Sequence, residues 1–371
     1  MFFLTPRHIK QGRTYLKDAK KALAYKRDIW PADAVSDFES AMRSLEAAIK
    51  EGSRNAVESA VQGIEKLAGL HLKPVPNAAL RENCEVFLVA IVVALGVRTY
   101  FLQPFTIPTG SMQPTLNGIL AHPTQEPPPN RVVRLFDSLA LGRTWIEAKA
   151  EVDDVIVDIR EVKYLRFFTR TEILGAKSRI VVNCPKDTFT RGFKVGLQQQ
   201  LKAGQVIARG YYDTGDHVFV DKMSYHFRRP ARGDVFVFNT LGIPTQENLM
   251  SRMEGPSQFY IKRLTGLPGD VLQIRPPDLL INGKRASEQP IQKVMSCTND
   301  YRGYSTGAPG MRVLATPEQT YELPPSSYFA LGDNSYNSSD SRYWGTVPQK
   351  NIMGRGVLVY WPFTKHLGLI R

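Results

Sequence analysis

A serine in a constrained loop is the first residue of this sequence whose surroundings suggest chemistry. Ser111 lies between Gly110 and Met112, and Pro108 and Pro114 restrict the backbone on both sides of it. Such a loop can hold a hydroxyl exposed and oriented, as a nucleophile requires. A Gly-Ser pair in a proline-rich loop is also common in ordinary turns, so the loop alone does not define a site.

A serine hydroxyl becomes a nucleophile when a neighbouring base takes its proton. None of the histidines after the loop lies in a recognisable triad setting; they are His122, His217, His226 and His366. A lysine can replace histidine when burial keeps its amine neutral. In the apolar run FYIKRL, strand alternation sends Lys262 and Arg263 to opposite faces, and a guanidinium does not deprotonate. The sequence therefore favours Lys262 as the general base for Ser111.

The elements that must position these two residues are mainly strands. Short β-branched or aromatic runs, separated by Gly, Pro and Asp, follow the nucleophile loop: DHVFVDKMSY, GDVFVFN, QFYIKRL, DVLQI, LLING and GVLVYWPF. They predict a mainly β catalytic domain over residues 103–371, an antiparallel sandwich or partial barrel.

The region before this domain has a helical pattern. In residues 38–70, Ala, Leu, Ile and Val recur at three- and four-residue spacing, which is typical of amphipathic helices. The sequence Lys73-Pro-Val-Pro-Asn77 then interrupts the helical pattern. We interpret residues 1–83 as a basic, helical region that lies in the cytoplasm.

An apolar segment separates the two regions. Residues 86–97 are uncharged, which is too short a run to cross a lipid bilayer. The longer segment 84–102 approaches the required length, and Arg98 lies near its end, where its charge could extend to the bilayer interface. We predict a single transmembrane helix at 84–102; a buried core helix is the alternative. The basic residues before the segment place the N-terminal region in the cytoplasm and the catalytic domain outside.

Charge and cysteine usage narrow the function classes. The formal net charge is +13, but eight basic and only two acidic side chains lie within residues 1–30. This distribution indicates a solvated face or an arm held near anionic lipid, rather than a nucleic-acid surface.

The cysteines lack metal-type spacing, and the sequence does not decide whether Cys184 and Cys297 form a disulfide. No zinc-type cluster or phosphate loop is present in the sequence, so we expect no metal and no cofactor.

Four blocks in order make the sequence similar to a known family. IPTGSMQPTL, DKMSYHFRRPARGDVFVF, YIKRLTGLPGD and ALGDNSYNSSDSRYWGTVP, following an apolar segment, resemble the type I bacterial signal (leader) peptidases, which use a Ser/Lys dyad. The resemblance implies that Ser111 attacks the scissile carbonyl and that Lys262 takes its proton. It also implies an oxyanion hole formed by the Ser111 N–H and the Thr109 hydroxyl, and a Ser338 hydroxyl that orients the lysine amine.

Further residues of these blocks correspond to supporting positions in the family. Asp340 and Arg342 match an ion pair behind the lysine, with Asp333 in the same loop; an ordinary structural pair is the alternative. The resemblance assigns Met112 to the floor of the substrate site.

Ile107 and Ile261 would wall its small S1 and S3 pockets, which select small residues in an Ala-x-Ala cleavage signal.

The sequence departs from the family at two places. Ser335 and Tyr336 replace the Arg-Asp pair that commonly follows Gly-Asp-Asn, so part of the charge network is absent or rebuilt. Residues 117–214 are an insertion after the nucleophile loop, in which we predict a β-rich accessory subdomain with strands at 153–159 and 179–183.

The predicted function is that of a signal peptidase I, a membrane-bound serine endopeptidase that removes signal peptides from exported preproteins. Its partners would be preproteins and the lipid bilayer, with no nucleic acid and no metal. The predicted location is the inner (cytoplasmic) membrane, with the catalytic domain on the outer, periplasmic side. The alternatives are a Ser/Lys peptidase with a narrow set of substrates and an inactive relative with a structural envelope role.

Overall fold

Helical spacing in the N-terminal region produces three helices around a small apolar core. In the computed structural model, which describes residues 6–71, 77–164, 168–245 and 258–370, these are α1 (Arg7–Lys26), α2 (Ala32–Glu51) and α3 (Arg54–His71). Their core includes Leu23, Phe38, Met42, Leu45, Val57 and Ile64. The sequence indicated α2 and α3, whereas the helix formed by the basic segment was not predicted. Most of the interrupting sequence after α3 lies outside the described residues.

The predicted transmembrane segment, 84–102, largely coincides with a fourth helix, α4 (Ala78–Tyr100), but its last residue already begins the first strand, β1 (Leu102–Thr106). Among the described residues, no helix is both long and apolar enough to cross a membrane. The transmembrane prediction for 84–102 is therefore not confirmed. Glu85 and Arg98 limit the uncharged stretch to residues 86–97, whereas a bilayer core requires roughly 20 apolar residues.

The rest of the chain is mainly β. Nineteen strands are described: β1 Leu102–Thr106, β2 Leu120–Pro123, β3 Arg143–Lys149, β4 Asp154–Tyr164, β5 Phe168–Gly175, β6 Arg179–Val182, β7 Gln200–Leu201, β8 Val206–Asp213, β9 His217–Asp221, β10 Val235–Asn239, β11 Phe259–Gly266, β12 Val271–Arg275, β13 Asp278–Ile281, β14 Lys284–Arg285, β15 Thr320–Glu322, β16 Ser327–Leu331, β17 Val347–Pro348, β18 Ile352–Trp361 and β19 Gly368–Leu369. Four short α-helices lie between the described strands: α5 Arg131–Leu141, α6 Ser224–Phe227, α7 Gln289–Met295 and α8 Ser341–Trp344; the count excludes residues 165–167 and 246–257, which the structure does not describe.

The largest sheet carries the predicted site. Its strand order is β1-β9-β18-β10-β11-β16-β17, with β19 beside β18, and the strand pairs described in it are antiparallel. The prediction of a mainly β, antiparallel fold with N-terminal helices is confirmed. The protein consists of two compact units, residues 1–91 and 92–371.

A second, smaller sheet lies next to the site strands in sequence. Its order is β14-β13-β12-β15, and helix α7 contributes to its apolar core. Tyr304 and Phe329 are fully buried in that core, and Phe329 comes from β16 of the large sheet. One continuous core therefore joins the two sheets behind the loops that carry the site.

The segment 117–214 forms its own β-rich structure. It contains the sheets β2-β8-β3 and β6-β5-β4-β7 together with α5, around a core that includes Ile156, Ile173 and Phe189. The strand predicted at 153–159 corresponds to β4, which is longer than expected, and the strand predicted at 179–183 corresponds to β6. Strand β2, the first strand of this segment, follows the nucleophile loop in the sequence, so a short connection joins the segment to that loop.

The three cysteines are free thiols in this structure, and they differ in exposure. Cys184 is fully buried in the core of the 117–214 segment, whereas Cys84 and Cys297 are exposed. Burial raises the pKa of the Cys184 thiol to about 12, which leaves almost no reactive thiolate at neutral pH.

We therefore expect iodoacetamide to modify Cys297 readily in the folded protein and Cys184 only after unfolding. Mass-spectrometric mapping of labelled peptides, with and without guanidinium chloride, measures this difference. Labelling of native Cys184 at the rate of Cys297 would contradict its burial.

Candidate active site

The structure brings the predicted nucleophile and base into direct contact. Ser111 lies in a short 3-10 turn, Gly110–Met112, and Lys262 lies in β11. The two side chains are 6% and 5% exposed. The Lys262 Nζ donates to Ser111 Oγ at 2.7 Å and to the Ile261 carbonyl at 3.2 Å. Burial disfavours a charged ammonium, so this arrangement is suited to a neutral amine that accepts a proton.

A loop after β16 fixes the backbone of the nucleophile turn. The Asn334 N–H donates to the Ser111 carbonyl at 3.0 Å, and the Asn334 side-chain amide donates to the Gly110 carbonyl at 3.1 Å. At Gly332 a Cβ atom would overlap the hydroxyl of Ser338 and the carbonyl of Ser111. Only glycine allows the two loops to approach this closely.

Thr109 lies beside the nucleophile. Its hydroxyl is 3.5 Å from Ser111 Oγ, at the outer limit for a hydrogen bond. Thr109 and Ser111 both line the same cleft. Their role as oxyanion donors stays a prediction, because the position of a bound carbonyl is what defines such a hole.

The Asp340–Arg342 pair is completely buried behind this loop. Both side chains are 0% exposed, and the Arg342 Nε lies 2.8 Å from Asp340 Oδ1. Arg342 also donates to the carbonyl and hydroxyl oxygens of Ser305 and Ser335. Burial alone lowers the pKa of Arg342, but the Asp340 carboxylate outweighs it and holds that pKa above the ordinary value. Asp340 in turn accepts from the Gly332 N–H at 3.0 Å, which ties the pair to the loop that contacts Ser111.

A second buried ion pair holds the same loop through Asp333. Arg263 and Asp333 are 1% and 0% exposed, with a closest approach of 2.6 Å. Asp333 also accepts from the Thr115 hydroxyl, a few residues after the nucleophile. Arg263 thus anchors the loops around the dyad, while its neighbour Lys262 reaches Ser111.

Ser338 lies beside Gly332, in the loop that contacts the Ser111 carbonyl. Its side chain is 7% exposed, and within the described ranges its hydroxyl has no hydrogen-bond partner. An unpartnered buried hydroxyl requires an explanation, and a partner acquired during the reaction is one. The expected contact with the Lys262 amine stays a prediction.

The dyad opens onto a cleft of about 590 Å³. Its lining includes Ser111, Lys262 and Ile261. Met112 and Ile107 are not lining residues; they are 0% and 3% exposed and belong to the apolar core of the large sheet. Their contacts with substrate stay predictions; in the structure both side chains pack in that core.

Sequence reasoning missed several residues of the site. Asn334, Ser305 and Arg263 make the contacts described above, and Ser335, noted only as a departure, binds Arg342. Asn334 belongs to the Gly-Asp-Asn block that the sequence analysis quoted, and that block was the signal that could have found it. Ser305 carried no comparable signal.

Comparison with known proteins supports the class that this site suggests. A family model described as signal peptidase, peptidase S26, matches residues 210–361. A signal peptidase I of Leptolyngbya laminosa is 37% identical over 153 residues, which cover 41% of this chain and 64% of that protein. The chain thus spans less than two thirds of the length of that relative.

Two further similarities complete the comparison. A signal peptidase I of Bacillus caldolyticus is 30% identical over 151 residues, covering 41% of this chain and 72% of that protein. A solved signal peptidase I of Enterococcus faecalis V583 is 28% identical, covering 34% of this chain and 97% of that one, with a TM-score of 0.25. The chain belongs to the signal peptidase family, peptidase S26.

Proposed function

We propose that this protein is a serine endopeptidase that removes signal peptides from preproteins with a Ser111–Lys262 dyad. The observation that carries the proposal is the 2.7 Å contact between Lys262 Nζ and Ser111 Oγ, made by two buried side chains at an open cleft. Lys262 is only 5% exposed, so its ammonium form loses most of its solvation, and such a position favours the neutral amine that a base requires.

The chemistry follows from these two groups. Lys262 Nζ takes the proton of Ser111 Oγ as that oxygen attacks the scissile carbonyl carbon. The proton then passes to the amine of the leaving segment, the peptide C–N bond breaks, and an acyl-enzyme remains on Ser111. A water molecule, deprotonated by Lys262 Nζ, then attacks the acyl carbon; the ester bond to Ser111 Oγ breaks, the signal peptide leaves with a new carboxyl end, and the proton on Lys262 returns to Ser111 Oγ.

The negative oxygen formed on the carbonyl needs donors that are already oriented. We assign this role to the Ser111 N–H and the Thr109 hydroxyl; support comes from the 3.5 Å approach of the Thr109 hydroxyl to Ser111 Oγ and from the hydrogen bonds of Asn334 to the Gly110 and Ser111 carbonyls. Preorganised donors stabilise the transition state without further reorganisation. Ser338 acts as a positioning residue in this proposal, by accepting a hydrogen bond from the Lys262 amine.

Substrate selection is assigned to the apolar part of the cleft. Ile261 lines it beside Lys262, while Ile107 and Met112 are buried in the apolar core of the large sheet. In this proposal, small pockets in that part of the cleft favour small side chains at P1 and P3. The preprotein would bind in extended form along β11, because strand addition supplies main-chain hydrogen bonds.

The proposed location is the outer face of the cytoplasmic membrane. Support comes from α4, which exposes a series of large apolar side chains: Val86, Phe87, Leu88, Val89, Val92, Val93 and Leu95. An exposed apolar surface of this size indicates a partner such as lipid. Recovery of the protein in the soluble fraction after cell lysis would count against this location.

The experiment that tests the proposed function uses the full chain in detergent. A preprotein with an Ala-x-Ala site is incubated with the protein, and the new N-terminus of the product is sequenced. Cleavage directly after the second alanine is the expected result. A folded protein that leaves this substrate intact would overturn the proposal.

A further inference from the structure

The inserted segment forms part of the wall of the catalytic cleft. A π-helical turn, Thr188–Gly192, lines the cleft together with Asp187, and Ser111 and Lys262 lie in the same lining. All these residues belong to one compact unit of the chain. The insertion therefore borders the space in which a substrate must lie.

The sequence explains why this turn presents polar groups to the cleft. Phe189 and Phe193 are 0% and 9% exposed and pack in the core of the insertion. Their spacing of one turn puts both on the same face, and the Phe193 N–H donates to the Phe189 carbonyl at 3.2 Å. Thr188 and Arg191 consequently face away from that core.

The turn is also held against the strand that follows the nucleophile loop. A Cβ atom at Gly192 would overlap the side chain of Ala121 in β2, so the two backbones are in close contact. Leu120 and Ala121 line the cleft as well. A short connection from Ser111 and a packed contact thus fix the turn relative to the reacting serine, and side chains on rigid elements discriminate best.

Arg191 is the permanent cation of this lining. It is exposed, and in the part of the chain that the structure describes no ion pair engages Arg191 or Asp187. Lys262 must be neutral to act as a base, whereas a guanidinium stays charged at any working pH. A guanidinium also presents paired N–H donors that match the two oxygens of a carboxylate. The Arg191 side chain is longer than that of Asp187, and its hydrogen bonds are more directional.

We propose that Arg191 is a specificity-determining residue that binds an acidic side chain of the substrate near the scissile bond. The insertion thereby adds a charge-selective subsite to the selection of small residues by the apolar pockets. This inference rests on the proposed function, because it names a further feature of the same substrate.

The test measures kcat/KM for a set of preproteins that share one Ala-x-Ala site. Asp, Asn or Lys is placed in turn at each position flanking the cleavage site, leaving P1 and P3 unchanged. For the wild type we expect one position, or two adjacent ones, at which Asp is preferred over Lys by about tenfold, the size of one partly exposed charge contact. Arg191→Glu should reverse this preference, and Arg191→Lys should keep its sign.

A matched control separates a direct contact from a general charge effect. Lys186→Glu makes the same change in charge next to the turn, at an exposed residue that is not in the cleft lining. Because exposed charges are screened within about 8 Å at physiological salt, it should leave the Asp/Lys ratio as in the wild type.

The outcomes are distinguishable. Cleavage of the Asn series by the wild type without any Asp/Lys preference overturns the subsite alone. An equal shift of the ratio by Lys186→Glu also overturns it, since the effect would then be long-range. Failure of the wild type to cut any member of the set overturns the proposed function, and the subsite with it.

Discussion

Lys262→Arg is expected to abolish preprotein cleavage as completely as Lys262→Ala. The guanidinium keeps the positive charge and much of the length of the side chain, but it cannot accept the proton of Ser111. Loss of a catalytic nucleophile or its base in serine peptidases costs about 10⁴-fold or more in kcat. We expect a loss of that order for Lys262→Arg, Lys262→Ala and Ser111→Ala, measured as single-turnover cleavage of an Ala-x-Ala preprotein.

Combining two of these changes gives a sharper test of a shared step. Because the two groups act as a unit, Ser111→Ala with Lys262→Ala should be no slower than either single variant. Ser339→Ala, at a cleft-lining hydroxyl outside the dyad, provides a matched serine control and should lose far less activity. Substantial activity in Lys262→Arg would exclude Lys262 as the general base.

Asp340→Asn is expected to cause a large loss of stability. It removes the charge partner of Arg342, and both side chains are 0% exposed. Breaking a buried pair by neutralising one partner costs about 3–5 kcal/mol, because the remaining charge is left without compensation in a poorly solvated site. The free energy of unfolding, from guanidinium chloride denaturation of the full chain, measures this loss.

The matched control is a surface ion pair in the smaller sheet. Asp278 and Arg285 lie 2.8 Å apart but are 34% and 53% exposed. Asp278→Asn should therefore change the free energy of unfolding by no more than about 1 kcal/mol. An equally small effect of Asp340→Asn would mean that Arg342 is adequately solvated or paired by Ser305 and Ser335 alone.

The same variant links stability to activity. Asp340 accepts from the Gly332 N–H, and the loop that begins there holds the carbonyls of Gly110 and Ser111 through Asn334. We expect the fraction of Asp340→Asn that stays folded to cleave more slowly than the wild type. The physical reason is that a displaced nucleophile turn misaligns Ser111 with Lys262.

The sequence predicted the local features of the site and much of the fold. An apolar strand pattern around Lys262 and a proline-bounded turn at Ser111 are determined by neighbouring residues, so both were visible without tertiary information. Strand alternation also separated Lys262 from Arg263. The β-rich character of the 117–214 insertion followed from its β-branched runs in the same way.

Other features depended on balances that a sequence pattern does not resolve. The basic segment became α1, because Leu16, Ala19 and Leu23 recur at helical spacing and pack on α2 and α3, while its charges remain exposed. The apolar segment gave a helix, but not one long and apolar enough to cross a membrane among the described residues. The composition of the basic segment did not predict α1, because packing of its few apolar side chains decided that outcome.

The sequence by itself determined which residues could react and which elements would carry them. Only the tertiary structure decided that Asn334 and Gly332 lie against the nucleophile turn, that Ser335 completes the Arg342 network, and that Arg191 of the insertion lines the cleft. These contacts join residues that are far apart in the chain. Such contacts form when sheets and loops pack against one another, and local residue preferences do not determine that packing.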